Sequence, residues 1–371
     1  MPTVKIFLML IALTTFSACS HISVTGMEKK SQDKELQVSS HPPTQYPVSE
    51  KATPPKPVET TIKISVAGDF TIGSDESFGY HQTFVQEADQ NGLEFFVQNI
   101  KDLFSQDDFT SVNLETTLTN STQKADKKFR FKGTPEYTEI LKLGSIEAVN
   151  LANNHTFDYL QRGYSDTVDN LTKYDVGYFG NESSYLTNIK GIDVGALGYN
   201  GWNDTKELRS QIETDIKNLR NQGAKIIIVH FHWGEERSYV PNSVQKSIGR
   251  FTIDQGADLV VGHHPHVVQG IEEYNGKFIV YSLGNFMFGG NRNPSDKDTF
   301  VFQQVFHLTD GELVDKKEIK VIPFRISSTT ARNNYQPTPL DGDEAKRVLS
   351  KIYKLSAQIS EPVWVAYDQS Q

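Results

Sequence analysis

The stretch ADLVVGHHPHVVQG, residues 257–270, runs an apolar β-type segment straight into three histidines within four positions. The whole chain has ten histidines in 371 residues, so this density is a signal. Imidazoles crowded at a strand end repel one another when protonated. Three things could hold them: a metal, a network of polar partners, or nothing beyond an exposed loop. In an extended segment His264 and His266 face the same side, and Pro265 restricts the backbone between them. That spacing suits two imidazoles on one or two metal ions, with His263 in support.

The apolar runs TIKISVAGDF, FTSVNLE, IEAVNLANNH, IKGIDVGALGYN, AKIIIVHFHWG and KFIVYSLGNF read as further strands. Helical patterns fall between them at 93–104, 134–144, 163–174, 205–223 and 244–256. This alternation predicts an α/β architecture with a largely buried sheet. Residues 300–326 read as a hairpin turning at Asp310-Gly311, and 341–359 as a closing amphipathic helix.

Polar residues sit where the apolar runs stop: Asp69; Asn113 and Glu115; Asn153, Asn154, His155 and Asp158; His230 and His232; His263 to His266; and Asn285. Loops at the carboxyl ends of strands in an α/β sheet share one edge, and ligands bind there. We therefore expect these groups to converge. His232 is the expected ligand of its pair, the strand ending between it and His230, which is left in support. Glu235 either supports the site or is a solvated carboxylate. Asn113 and Glu115 either join the site or cap a turn. Asn153, Asn154 and His155 place an amide oxygen beside a general acid, or cap a helix. Asn285, next to Gly284, shapes the loop. The basic run KKFRFK (127–132) offers Arg130 and Lys132 to the site side, unless it is a solvated strand edge.

Carboxylates, an amide and imidazoles together suit divalent manganese, iron or zinc better than a soft copper site. The single cysteine excludes a disulfide framework and a thiolate cage. No nucleophile elbow, P-loop or dinucleotide fingerprint occurs. A formal charge of −9 argues against broad binding to nucleic acid.

The one cysteine, Cys19, ends MPTVKIFLMLIALTTFSAC, which has the layout of a signal peptide. FSAC resembles a bacterial lipobox, with Phe16 in place of the usual leucine, a departure that keeps a simple signal peptide cut near Ala18 as the alternative. Residues 1–19 are thus expected to be a lipoprotein signal, with Cys19 lipidated, anchored to the cell membrane and extracytoplasmic. Residues 20–60 hold six prolines and few large apolar residues, the composition of a disordered tether. The folded domain is expected over 61–325, and a C-terminal extension with the closing helix over 326–371.

In order, GDF, NLE, NNHTFD, HFHWGEE, GADLVVGHHPHVVQGIE and YSLGNFMFG closely resemble the CapA/PgsA group of bacterial capsule and poly-γ-glutamate biosynthesis proteins, over about residues 60–325. That group resembles a branch of the calcineurin-like metallophosphoesterases. The resemblance implies a four-layer α/β/β/α sandwich and a centre of one or two metals, about 3.5–4 Å apart where there are two. Carried over by motif, Asp69 and His266 hold the first metal and Glu115 bridges. Asn154, His232 and His264 hold the second, and His155 donates a proton to the leaving oxygen. Two departures stand out: Asp69 is followed by Phe70 and Thr71 where the superfamily has Asp-x-His, and the bridging acid comes from N-x-E. The implied partners are membrane subunits of a capsule polymer synthase and an anionic polymer or phosphoester substrate. The resemblance implies a membrane-anchored component of poly-γ-glutamate capsule biosynthesis or export; a metal-dependent phosphoesterase or other hydrolase of an envelope substrate is the second reading, and a scaffold retaining a vestigial site the third.

Overall fold

The computed structural model describes residues 56–370. The segment read as a lipoprotein signal, Cys19 and most of the segment read as a tether lie outside the described residues. Two sheets dominate. In the first, the path runs through strands Thr338–Pro339, Ile319–Arg325, Asp298–Thr309, Glu59–Thr71, Phe109–Leu114, Ala148–Asn150 and Gly177–Phe179. The second orders Ile271–Tyr274, Lys277–Val280, Leu259–His263, Ile226–Trp233, Ile192–Gly201 and Tyr185–Ile189. The central pairings are parallel in both. A three-stranded sheet of Ser74–Asp75, Phe131–Gly133 and Thr117–Leu118 stands beside them.

Alternation along the strands explains the layering. In Ile226–Trp233, Ile226 and Ile228 join the core between the sheets, while Ile227, Val229, Phe231 and Trp233 pack on the other face with Ile212, Ile216 and Ile248 of the helices Lys206–Asn221 and Ser243–Asp254. Ile62, Ile64 and Val66 meet that inner core from the first sheet. Ala67, Val112 and Val149 instead pack with Phe84, Phe96, Ile140 and Leu171 of the helices on that sheet's outer side. Helix, sheet, sheet, helix: the chain is an α/β/β/α sandwich. Val348, Ile352 and Leu355 of the helix Gly342–Ser356 close an edge of the inner core.

Some sequence expectations differ from the structure. The run 93–104 is two short helices, Glu94–Val97 and Lys101–Phe104; the Phe95 carbonyl accepts from Gln336 Nε2 at 2.6 Å, a bond from outside the segment. IKGIDVGALGYN turns back at Lys190-Gly191, both at positive φ, so its first residue, Ile189, belongs to the edge strand Tyr185–Ile189. KFIVYSLGNF spans two sheets: Lys277–Val280 lies in the second and Asn285–Phe288 pairs in parallel with Glu59–Thr71 in the first. The Asp310-Gly311 turn is present, with both residues at positive φ. The first strand begins at Glu59, inside the segment read as tether. Among the described residues no helix is long and apolar enough to cross a membrane.

Candidate metal centre

Strand register brings the polar groups into two facing rows. In the first sheet Asn285, Asp69, Asn113 and Asn150 stand side by side. In the second, Asn200, His232 and His263 do the same. Asp69 follows Val66 by three residues, which alternation alone would turn outward; register irregularities in this strand accommodate the change. His230 and His232 continue the inward phase of Ile226 and Ile228. The strand therefore does not end between them, contrary to the sequence expectation; it runs to Trp233 and both imidazoles are buried between the sheets.

The rows interlock through hydrogen bonds. Asn113 Nδ2 donates to Asp69 Oδ1 at 2.9 Å and lies 3.3 Å from His232 Nδ1. Asn113 Oδ1 accepts from Asn150 and Asn153. Ser111 Oγ is 2.9 Å from His230 Nε2, and His230 Nδ1 is 2.9 Å from His263 Nε2. His263 Nδ1 lies 3.4 Å from Asp69. His266 Nδ1 sits 2.9 Å from Asn285 Oδ1 and 3.2 Å from Asp69 Oδ2.

His264 and His266 do not lie in an extended segment. The strand stops at His263, and both residues have left-handed backbones, at φ 96° and 56°. A turn, rather than strand alternation, brings them together. Ligand atoms of Glu115, His264 and His266 all lie within 4.8 Å of one another, and His232 Nε2 is 3.5 Å from Glu115. Trp202, itself exposed, makes T-shaped contacts with the rings of His264 and His232, centroids 4.7 and 5.5 Å away.

Whether this cluster fits a divalent cation is tested by its unmet valences. Asp69 Oδ2, both Glu115 oxygens, His232 Nε2, His263 Nδ1 and His264 Nδ1 are buried without a hydrogen-bond partner. Orphaned buried polar atoms cost free energy, and here they gather in one place around carboxylates. Burial pushes the Glu115 carboxyl well above its usual range, with Asp69 and Asp158 adding to the effect. Burial opposes ionisation of Asp69 too, but His263 and His266 hold its carboxyl well below the ordinary value. Burial would lower His266; Glu115 and Asp69 outweigh it and raise the imidazole to about 9. Burial brings His264 down to about 4 and takes His232 well below its usual value. Acids and imidazoles pulled so far apart, beside unpaired ligand atoms, are what a cation would reconcile.

His155 stands at the edge of this cluster. Its Nδ1 is 2.6 Å from Asp158 Oδ2, and its Nε2 lies 3.9 Å from Glu115. Lys127 Nζ completes the group at 2.6 Å from Asp158 Oδ1, and Phe131 stacks on the imidazole at 4.2 Å. Burial lowers the His155 pKa against the pull of Asp158.

Four expected residues lie elsewhere. Asn154 is exposed, and Lys127 holds its backbone carbonyl; the buried amide is Asn153, with Oδ1 accepting from the His155 amide and Nδ2 donating to Asn113 and Leu114. Glu235 is exposed, and Glu236 lines the cleft instead. Arg130 is spent on the Ala125 and Lys127 carbonyls and Lys132 on Glu76, leaving Lys127 as the basic residue that reaches the site. Sequence reading missed Ser111 and Asn150. Ser111 carried a signal, two residues before Asn113 on one strand; Asn150 stood at a strand end like the rest.

The sandwich and its carboxylate–imidazole cluster define an α/β/β/α domain with a candidate divalent-metal centre between its sheets. The chain belongs to the bacterial capsule synthesis protein family PGA_cap, whose pattern matches residues 63–290. It is similar to the PGA biosynthesis protein CapA of Bacillus subtilis (strain 168), at 30% identity over 312 residues, covering 78% of this chain and 76% of that one. The capsule biosynthesis protein CapA of Bacillus anthracis is 28% identical over 307 residues, covering 76% of this chain and 72% of that one. Among solved structures, a phosphatase from Mycoplasma pneumoniae aligns with TM-score 0.43 and 16% identity over 80% of this chain and 99% of its own. Nothing about chemistry follows from that last likeness.

Proposed function

We propose that this chain is an extracytoplasmic factor of poly-γ-glutamate capsule biosynthesis, anchored through lipidated Cys19 and working beside the membrane subunits of a polymer synthase. Its carboxylate–imidazole cluster binds one or two divalent ions of the manganese, iron or zinc kind. Family membership supports the pathway, the signal-like segment supports the location, and the orphaned atoms of Asp69, Glu115, His232 and His264 carry the metal. Those residues would hold it, with His266 beside them. A bound divalent ion supplies Lewis acidity at the cluster.

A hydrolytic step on an envelope substrate is the reading the His155 arrangement favours. Asp158 bonds Nδ1, so Nε2 is the ring nitrogen left toward the cluster, where it holds or delivers a proton at a leaving oxygen. The aromatic face of Phe131 keeps the ring in that orientation.

Elemental analysis of the purified chain, alongside Glu115→Gln and His264→Ala, tests the metal. Near-stoichiometric divalent metal in the wild type and its loss in both variants is expected; no metal, or unchanged content in the variants, overturns the reading. Undiminished γ-glutamyl polymer after deletion of the gene in its host would overturn the pathway.

A further inference from the structure

A cleft opens beside the cluster, walled by His155, His266, Asn285, Phe129 and Phe288, and Arg237 stands on it. Two features set Arg237 apart. The first is its backbone: φ is 63°, a region that side-chain-bearing residues seldom adopt, and its amide donates to the Pro265 carbonyl at 2.8 Å. This fastens the loop to the histidine turn, and Gln269 Nε2, donating to the Ser238 carbonyl at 2.8 Å, fastens it again. The second is its head. Other arginines are engaged with carboxylates, as Arg250 is with Glu272, or with carbonyls, as Arg130 is with Lys127. The Arg237 guanidinium has no ion pair, hydrogen bond or ring contact among the described residues.

The cleft also holds two acids, which limits the anion it accepts. Asp296 is neutralised by Lys351 Nζ at 2.6 Å and accepts from the Tyr239 hydroxyl at 2.8 Å. Glu236 acts electrostatically on Glu115, His264 and His266, on the cluster side. One free guanidinium among such acids suits a singly charged carboxylate better than a phosphate dianion, which the acids repel. A guanidinium fork meets a carboxylate through two parallel hydrogen bonds, and the half-exposed Phe129, with Lys128 Nζ 5.0 Å from its ring centroid, adds apolar surface for methylenes.

We propose that Arg237 anchors a substrate carboxylate in this cleft, the α-carboxylate of a γ-linked glutamyl chain whose methylenes lie against Phe129. This rests on the polymer reading above and names how the polymer is held.

The test is calorimetric binding to the metal-loaded chain of a γ-linked glutamate pentamer, of the same pentamer with its α-carboxylates amidated, and of phenyl phosphate. We expect wild type to prefer the carboxylate pentamer over the amidated one by roughly 10- to 100-fold, and Arg237→Ala to lose that preference while keeping wild-type metal content. Arg237→Lys recovers only part of it, because an ammonium lacks the fork. Undiminished preference in Arg237→Ala overturns the anchor and leaves the polymer reading standing. Failure of wild type to bind either pentamer overturns both, and tighter binding of phenyl phosphate than of the pentamer overturns the choice of carboxylate. Lost metal in Arg237→Ala also overturns the anchor, since the residue then supports the cluster.

Discussion

The imidazoles of His230 and His263 stack with centroids 5.1 Å apart, Nδ1 of the first 2.9 Å from Nε2 of the second. Both rings are fully buried, and one must donate while the other accepts. Burial takes His230 well below the ordinary histidine pKa, and the charge of His263 pushes the same way. The pair therefore runs from Ser111, deep between the sheets, to His263 Nδ1, which lies 3.4 Å from Asp69 at the cluster.

Removing one member leaves the others without partners. His230→Ala strands His263 Nε2 and Ser111 Oγ in a dry interior and opens a cavity. It should cost about 2–4 kcal/mol in urea unfolding of the metal-free chain. Divalent-metal affinity should fall roughly 10- to 100-fold, as for the loss of a group that orients a ligand. Unchanged stability and unchanged affinity would mean the relay orients nothing.

Two adjacent asparagines give a sharper contrast. Asn153 is bonded to Asn113, Leu114 and the His155 amide, whereas the Asn154 side chain is exposed. Asn153→Ala should destabilise by about 1–3 kcal/mol and weaken metal binding. Asn154→Ala should change stability by less than about 0.5 kcal/mol, as exposed substitutions do. Thermal unfolding and metal titration of both variants decide whether Asn153 or Asn154 serves the cluster.

That contrast shows where sequence reading stops. Strand ends were legible because apolar runs announce them, and the residues at those ends meet because parallel strands share an edge. Phase was legible inside strands: Ile226, Ile228, His230 and His232 all obey it. Past the last hydrogen-bonded pair, periodicity no longer constrains direction. Asn153 against Asn154 and Glu235 against Glu236 are both one-residue phase errors in such loops. His264 and His266 converge through left-handed backbones that nothing in the letters GHHPH requires.

At the opposite end of the first sheet, burial raises the Asp107 carboxyl to about 7, and Glu147 and Asp108 push the same way. The unfolded chain releases this proton near its usual value of about 4. Between those two values the native state binds more protons, so stability falls as pH rises and the loss is complete above 7. Asp107→Asn can retain the oxygen that accepts from Thr110 Oγ1. It should match wild type at pH 4 and exceed it by about 2–3 kcal/mol at pH 8, allowing for partial exposure. Urea denaturation at the two pH values measures this; a stabilisation greater at pH 4 would reverse the assignment.

Gly262 bears on how the histidine turn is aimed. A Cβ there would lie 1.9 Å from the Tyr281 carbonyl oxygen and 2.4 Å from Trp233 Nε1, the two partners of a 2.9 Å hydrogen bond. Neither can yield easily, since one is backbone of the neighbouring chain segment and the other a buried indole. Gly262→Ala should therefore push strand Leu259–His263 aside, break that bond and displace His263, His264 and His266 together. We expect a loss of about 2–4 kcal/mol in stability and at least a tenfold loss of metal affinity. Gly191→Ala is the matched control. It sits at φ 83° in a hairpin turn with nothing within 4 Å of the added carbon. That variant should lose about 1 kcal/mol through backbone strain, with metal affinity unchanged. If both variants lost stability equally and bound metal equally, the close approach at Gly262 would be serving the fold and not the cluster.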